Sequence, residues 1–351
     1  MPKPIPPPPP QASADETGRA VRLARWLYAL VIGAFLLLAA GYSPQGFPVD
    51  YGREASLSWT LWKLEGLDVD TLRAEGDGRI VWLLGASVVR ESFDEDVINA
   101  ALPEGGPRVV KIGFDRGASG LAYGMARRLP LQPGDLVVHN VSANNFRRDW
   151  IAFVELPHWW LTTLYTPGEF WAIDELSVQD KIEGSVNYAP RRFWSNHDEH
   201  QEGLFLWARS PLSGAPEARG QSVHLRFHTG ETRKGFHKWR VSERARRQRV
   251  HSLERWDASP EQFNARGLTL LRERCEVRGA ELLLITIPPS DAMSELLVEP
   301  GVEPLWTELM AEAGIEAWPK PPEDDYHDFI HPNFRGRAML SEHMVEWLDG
   351  R

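Results

Sequence analysis

The chain has 351 residues, room for one large α/β domain or two ordinary ones, and its 42% apolar fraction supports a sizeable core. A formal net charge of -10 gives no basis for general nucleic-acid binding. The single cysteine, Cys275, excludes an internal disulfide framework and a cysteine-based zinc site, and leaves the compartment open.

Residues 1–25 read as a disordered cytoplasmic tail, because "MPKPIPPPPPQASADETG" is proline-rich and of low complexity. Residues 26–42 are uncharged and apolar, at the short end for a membrane span, with Trp26, Tyr28 and Tyr42 placed for the interfaces. Arg19, Arg22 and Arg25 precede this stretch, and no Lys or Arg follows until Arg53. The positive-inside rule then sets the tail in the cytoplasm and the remainder outside. A cleaved signal peptide, with Ala39 and Gly41 near its cleavage site, and a buried core helix are the rival readings. The long tail and the arginine flank favour an uncleaved, single-pass transmembrane anchor in the inner membrane with a periplasmic domain.

Residues 43–78 read as a linker with a short helix. Alternating units follow. "RIVWLLG" is a short apolar run bounded by glycine, as expected of a buried parallel strand. "SFDEDVINAAL" is its helix, "RVVKIGF" a second strand, "LAYGMARRL" a second helix and "DLVVHNV" a third strand. Later "PEQFNARGLTLLRERCEVRG" forms an amphipathic helix and "AELLLITIPP" a fourth strand stopped by Pro288 and Pro289. Two helices, "EPLWTELMAEAG" and "RGRAMLSEHMVEWLDG", close the chain. The alternation predicts a parallel, doubly wound α/β sheet over residues 79–351. Residues 146–259 break the rhythm and read as a large insertion, of the kind that builds or covers a binding crevice at the strand ends.

In such a sheet ligands gather at the carboxyl ends of the strands. After the first strand stand Gly85, Ala86 and Ser87; after the second, "DRGASG" from Asp115 to Gly120; after the third, "SANN" from Ser142 to Asn145. Near the C-terminus stands "DDYHDFIHPNFRG", with Asp328 and His331. A serine hydroxyl needs a base to become a nucleophile, and histidine titrates near neutrality. A carboxylate three residues before the histidine can fix its tautomer. Taken singly, each residue has a structural alternative. Ser87 can be a helix N-cap, Asn144 and Gly120 turn residues, and Asp328 a cap for the last helix.

Together the four blocks resemble the SGNH (GDSL-like) hydrolase superfamily. Gly85-Ala86-Ser87 matches its Gly-x-Ser block, and Asp115 to Gly120 its N-x-G-x-S-G block with Asp for Asn. Ser142 to Asn145 keeps the key Asn of G-x-N-D but not its Gly or Asp, and D-x-x-H-P-N is intact at residues 328–333. The resemblance covers residues 79–145 and 260–350, and it implies a three-layer, flavodoxin-like parallel sheet. It implies Ser87, His331 and Asp328 as catalytic triad, and an oxyanion hole of the Ser87 and Gly120 backbone N–H groups and the Asn144 side chain. "LGASVVRESFD" after an N-terminal anchor is similar to the membrane-tethered branch, which includes the alginate O-acetylation proteins and the DltD proteins of teichoic-acid D-alanylation.

The resemblance implies a membrane-anchored serine acyl esterase or O-acyltransferase. Its substrate would be an ester-linked acyl group, acetyl first among them, on a cell-envelope or exported glycan. No cofactor, metal or nucleic acid is expected, and envelope-assembly proteins are candidate partners. The alternative is a non-catalytic SGNH-like glycan-binding or scaffold partner in polysaccharide assembly. Arg90 and Asn145 are candidate substrate-binding residues, Arg90 equally a surface salt-bridge partner. His139 reads as structural. "HDEH" at residues 197–200 lacks a third convergent metal ligand, and the basic run 233–255 reads as a solvated helix face or a contact for an acidic polymer or lipid. The 15 Trp read as core residues, or as stacking faces for sugar rings.

Overall fold

A computed structural model describes residues 26–28, 57–114, 116–154, 156, 158–186, 250, 253–298, 301–326, 328 and 330–351. Residues 26–28 are helical and fall in the unit Met1–Pro48; every element below belongs to the unit Val49–Arg351. Most of the expected anchor, residues 29–42, lies outside the described residues. Among the described residues no helix is long and apolar enough to cross a membrane.

Among the described residues five parallel strands form one sheet: β1 (Ile80–Gly85), β2 (Arg108–Gly113), β3 (Leu136–Asn140), β4 (Glu281–Thr286) and β5 (Ile315–Ala317). Their order is β2-β1-β3-β4-β5, so the chain leaves β1 for one edge and crosses back to β3. The registers pair Gly85 with Gly113 and Leu84 with His139, which brings the ends of β1, β2 and β3 level. β5 is absent from the expected strands: it is three residues long, too short to show as an apolar run.

Successive strand side chains point to opposite faces, and β1 is buried on both. Ile80, Trp82 and Leu84 enter a core with Leu121 of α5 (Ser119–Ala126), Leu161 of α7 (His158–Leu164) and Leu271 of α10 (Phe263–Arg278). Val81 and Leu83 enter a second core with Val88 of α3 (Ser87–Ser92), Ile98 of α4 (Glu95–Ala101), and Leu340 and Met344 of α13 (Phe334–Asp349). Helices thus cover both faces of the parallel sheet.

The expected linker proves to be partly domain. α1 (Leu57–Glu65) and α2 (Val69–Glu75) pack on the first core through Leu57, Leu61, Leu64 and Leu72. α2 is fixed to the sheet by the buried Asp135, whose carboxylate accepts both Arg73 Nη1 and Nη2 at 2.7 Å. The same carboxylate accepts the N–H groups of Ile80 and Gln132 and the indole N–H of Trp82.

The described part of the insertion is helical: α6 (Trp150–Phe153), α7, α8 (Pro167–Trp171) and α9 (Val178–Val186). Its base is closed by an antiparallel bridge of Arg147 with Trp256 and a tilted contact of the Phe146 and Trp256 rings. Trp150 and Trp160 are buried, as the core reading expects, whereas Trp171 is exposed. "HDEH" and most of the basic run lie outside the described residues. α11 (Asp291–Val298) and α12 (Val302–Ala313) complete the set between β4 and β5.

Candidate active site

β1 ends at Gly85 and the chain enters α3 at once, so Ser87 is the first residue of a helix at the carboxyl edge of the sheet. The N-cap is Ala86, which has no side chain to cap with, so Ser87 is not the capping residue. Its hydroxyl goes elsewhere, to His331 Nε2 at 2.7 Å. The first N–H groups of a helix have no partner within the helix. The Ser87 N–H has no acceptor among the described residues and is a donor beside its own hydroxyl.

His331 lies between a 3₁₀ turn (Glu323–Asp325) and α13. Its Nδ1 is 2.7 Å from Asp328 Oδ2. A carboxylate only accepts, so Nδ1 carries the proton and Nε2 is left to accept the serine hydroxyl. The other oxygen, Asp328 Oδ1, accepts the backbone N–H groups of Ile330 and His331 at 2.9 and 2.8 Å. One carboxylate therefore builds the turn and orients the ring that the turn carries, which explains the three-residue spacing. Asp328 is not the cap of the last helix: Asn333 is, accepting from the N–H groups of Arg335 and Gly336. Ser87 is half-buried, and the His331 and Asp328 side chains are 18% and 29% exposed, so all three are within reach of a ligand.

The second block closes over the end of β1. A Cβ on Gly117 would lie 2.4 Å from the Gly85 carbonyl oxygen, so only glycine lets this loop approach the strand end beside Ser87. The residue before it, Arg116, holds a left-handed backbone with φ 61°. Asp115 lies outside the described residues.

Gly120 departs from its expected role. Its backbone N–H donates to Asn264 Oδ1 at 3.0 Å, in a buried contact between α5 and α10, and is not presented to a ligand. Nor is it a turn glycine. A Cβ there would fall 2.2 Å from the Phe263 ring, so the glycine serves close helix packing. The physical reason is that position two of a helix needs an external acceptor, and α10 supplies one.

Asn144 and Asn145 stand in a 3₁₀ turn (Ala143–Asn145) directly after β3. Asn144 is half-buried, and its amide has no hydrogen-bond partner among the described residues. The Asn145 carbonyl is held by Asn264 Nδ2 at 2.7 Å and by Gln262 Nε2. Asn264, absent from the sequence expectations, thus joins the loop after β3 to the start of α5. Arg90 donates through Nε to Glu91 Oε1 at 3.0 Å, with its side chain 19% exposed.

A second serine–histidine pair lies underneath. The Ser119 hydroxyl donates to His139 Nε2 at 3.0 Å, while His139 Nδ1 donates to the Leu84 carbonyl at 2.9 Å. Both side chains are fully buried, and burial holds His139 down at about 4, hence neutral. The pair is a polar strut between β1, β3 and α5, in line with the structural reading of His139. What separates it from the upper pair is access, and a carbonyl where the upper pair has a carboxylate.

The upper constellation contains an activatable hydroxyl, a tautomer-fixed imidazole and an orienting carboxylate, with the Ser87 N–H at the start of α3. Such a set can carry nucleophilic acyl transfer. Comparison with protein-family models and with curated proteins yields no match to either.

Proposed function

We propose that this chain is a serine acyl esterase or O-acyltransferase with Ser87 as nucleophile, His331 as general base and acid, and Asp328 as the orienting carboxylate. The observation that carries the reading is the unbroken Ser87–His331–Asp328 hydrogen-bond chain, with both links at 2.7 Å. A strand order of 2-1-3-4-5 in a parallel sheet suits the flavodoxin-like doubly wound arrangement, and the site lies at its β1/β3 switch point. The likeness of the sequence blocks to the SGNH superfamily supports the same assignment.

In this mechanism Ser87 Oγ attacks an ester carbonyl as its proton passes to His331 Nε2. Asp328 stabilises the imidazolium. The oxyanion is met by the Ser87 N–H and the Asn144 amide, with Gly120 left out of the expected trio. His331 then returns the proton to the leaving alcohol oxygen, and an acyl-serine remains. Water as acceptor completes an esterase cycle, and a sugar hydroxyl completes a transferase cycle. The expected anchor at residues 26–42 would hold the domain outside the cytoplasmic membrane, where acyl esters of envelope glycans are the substrate class at hand. Hydrolysis of p-nitrophenyl acetate tests the reading: the wild type should turn over, and Ser87→Ala should not, with its circular dichroism unchanged.

The non-catalytic alternative, a glycan-holding partner in polysaccharide assembly, draws on the commitment of the Gly120 N–H to Asn264. It expects glycan binding that survives Ser87→Ala, and no turnover of any acyl donor by the wild type.

A further inference from the structure

The nucleophile and the base reach the site on separate elements. Ser87 opens α3, and His331 sits just before α13, 244 residues away. Local bonds shape the histidine loop but do not set its distance from α3. Within the loop, the Asn333 N–H donates to the Asp325 carbonyl, and Tyr326 pairs with Pro332. These contacts fix the turn to itself, and the Tyr326 hydroxyl ties it to the Pro288 carbonyl after β4; none of them reaches α3.

A direct tie between the two elements lies one turn lower on each. Glu91 is four residues after Ser87, on the same face of α3. Arg337 is in the first turns of α13, six residues after His331. Arg337 Nε donates to the Glu91 carbonyl at 2.8 Å, and Nη2 to Glu91 Oε2 at 2.7 Å. The Arg337 side chain is 8% exposed and that of Glu91 15%, so solvent screens the pair little. Arg90 Nε takes the other carboxylate oxygen. Lys111 Nζ, from β2, holds the carbonyls of Arg90 and Phe93 and so fixes the far end of α3. Ser341 of α13 accepts the Asp94 N–H as a second tie.

We infer that Glu91 and Arg337 are positioning residues that hold the Ser87–His331 distance. This rests on the acyl-transfer reading of Ser87. The guanidinium fork matters because it grips a carbonyl and a carboxylate at once, and so fixes rotation as well as separation. Lysine keeps the charge but is a single point donor. A displacement of about 1 Å at a catalytic pair costs on the order of 100-fold in rate. Both side chains are nearly buried, so the expected effect falls on the chemical step rather than on substrate binding.

The test uses full-length wild type, Arg337→Lys, Arg337→Met and Glu91→Gln, each checked for folding by circular dichroism. Active sites are counted by fluorophosphonate titration, so that kcat refers to competent molecules only. For the folded variants the expected result is a ten- to hundredfold fall in kcat per titrated site with KM unchanged, Arg337→Lys being the mildest. The double variant of Glu91→Gln with Arg337→Lys should be no worse than the worse single. The low-field proton resonance of His331 Nδ1 should broaden in the same variants. A kcat per site within twofold of wild type, with that resonance unmoved, would overturn the inference. Absence of wild-type turnover would instead overturn the acyl-transfer reading, and the proton resonance would still decide whether the clamp sets the triad's geometry.

Discussion

The Ser87 hydroxyl lies 2.7 Å from His331 Nε2, and the ring that receives it is fixed from behind by Asp328 at the same distance. The site is built from three groups: a helix-opening serine, an imidazole of one tautomer, and a carboxylate that also builds the loop.

Asp328→Asn is the most direct probe of the orienting role. An amide can donate to Nδ1 and so favour the tautomer that points a proton at Ser87. In a serine–histidine–aspartate site this change costs about 10⁴-fold in kcat. Steady-state kinetics on p-nitrophenyl acetate should return a loss of that order with little change in KM.

The two candidate oxyanion donors beyond Ser87 should separate cleanly. Asn144→Ala removes a donor met only in the transition state and should lower kcat by about 10²- to 10³-fold at constant stability. Gly120→Ala should act instead on the fold, because its methyl would meet the Phe263 ring. Overpacking of this kind costs about 1–3 kcal/mol, which a urea unfolding midpoint would read.

Asp135 is the structural carboxylate of the sheet. Its burial pushes the carboxyl up, but the Arg73 fork and the N–H groups of Gln132, Ile80 and Trp82 outweigh this and hold it below its ordinary range. The folded value is thus depressed. The stability it contributes is present above the ordinary carboxylate range and is lost as pH falls through the folded value. Asp135→Ala leaves the Arg73 guanidinium without its carboxylate, with the Gly78 and Pro130 carbonyls as remaining partners, and should cost about 3–5 kcal/mol at pH 7, measured by denaturant unfolding.

Glu175 behaves in the opposite sense. Burial, aided by Asp149 and Asp257, raises it from 4.5 to about 6 against the N–H bonds it accepts from Ile151 and Phe263. A raised carboxyl contributes stability below its unfolded value that is lost as pH rises through about 6. From this group the melting temperature should be higher at pH 5 than at pH 7. Glu175→Gln should flatten that difference, as a pair of thermal melts would reveal.

The sheet was legible where residues carry local signals. β1, β3 and β4 are contiguous aliphatic runs because each is buried on both faces, and a run of that kind survives in one dimension. Asp328 and His331 were legible because one oxygen of the carboxylate makes the turn, which forces a short spacing. Gly120 was misassigned because glycine marks a close approach without saying to what: here it is Phe263, from a helix that begins 143 residues later. The contacts of Asn264, Glu91 and Arg337 left no trace, since their partners lie 144 and 246 positions away. α1 and α2 looked like a linker because their leucines bury against a core built by later segments.

Fluorophosphonate labelling of the folded chain, read by peptide mass mapping, shows whether Ser87 is the nucleophile. One adduct is expected, on Ser87, absent in Ser87→Ala and strongly slowed in His331→Ala. Folded wild-type protein that remains unlabelled, or that carries its adduct on another serine, would contradict it.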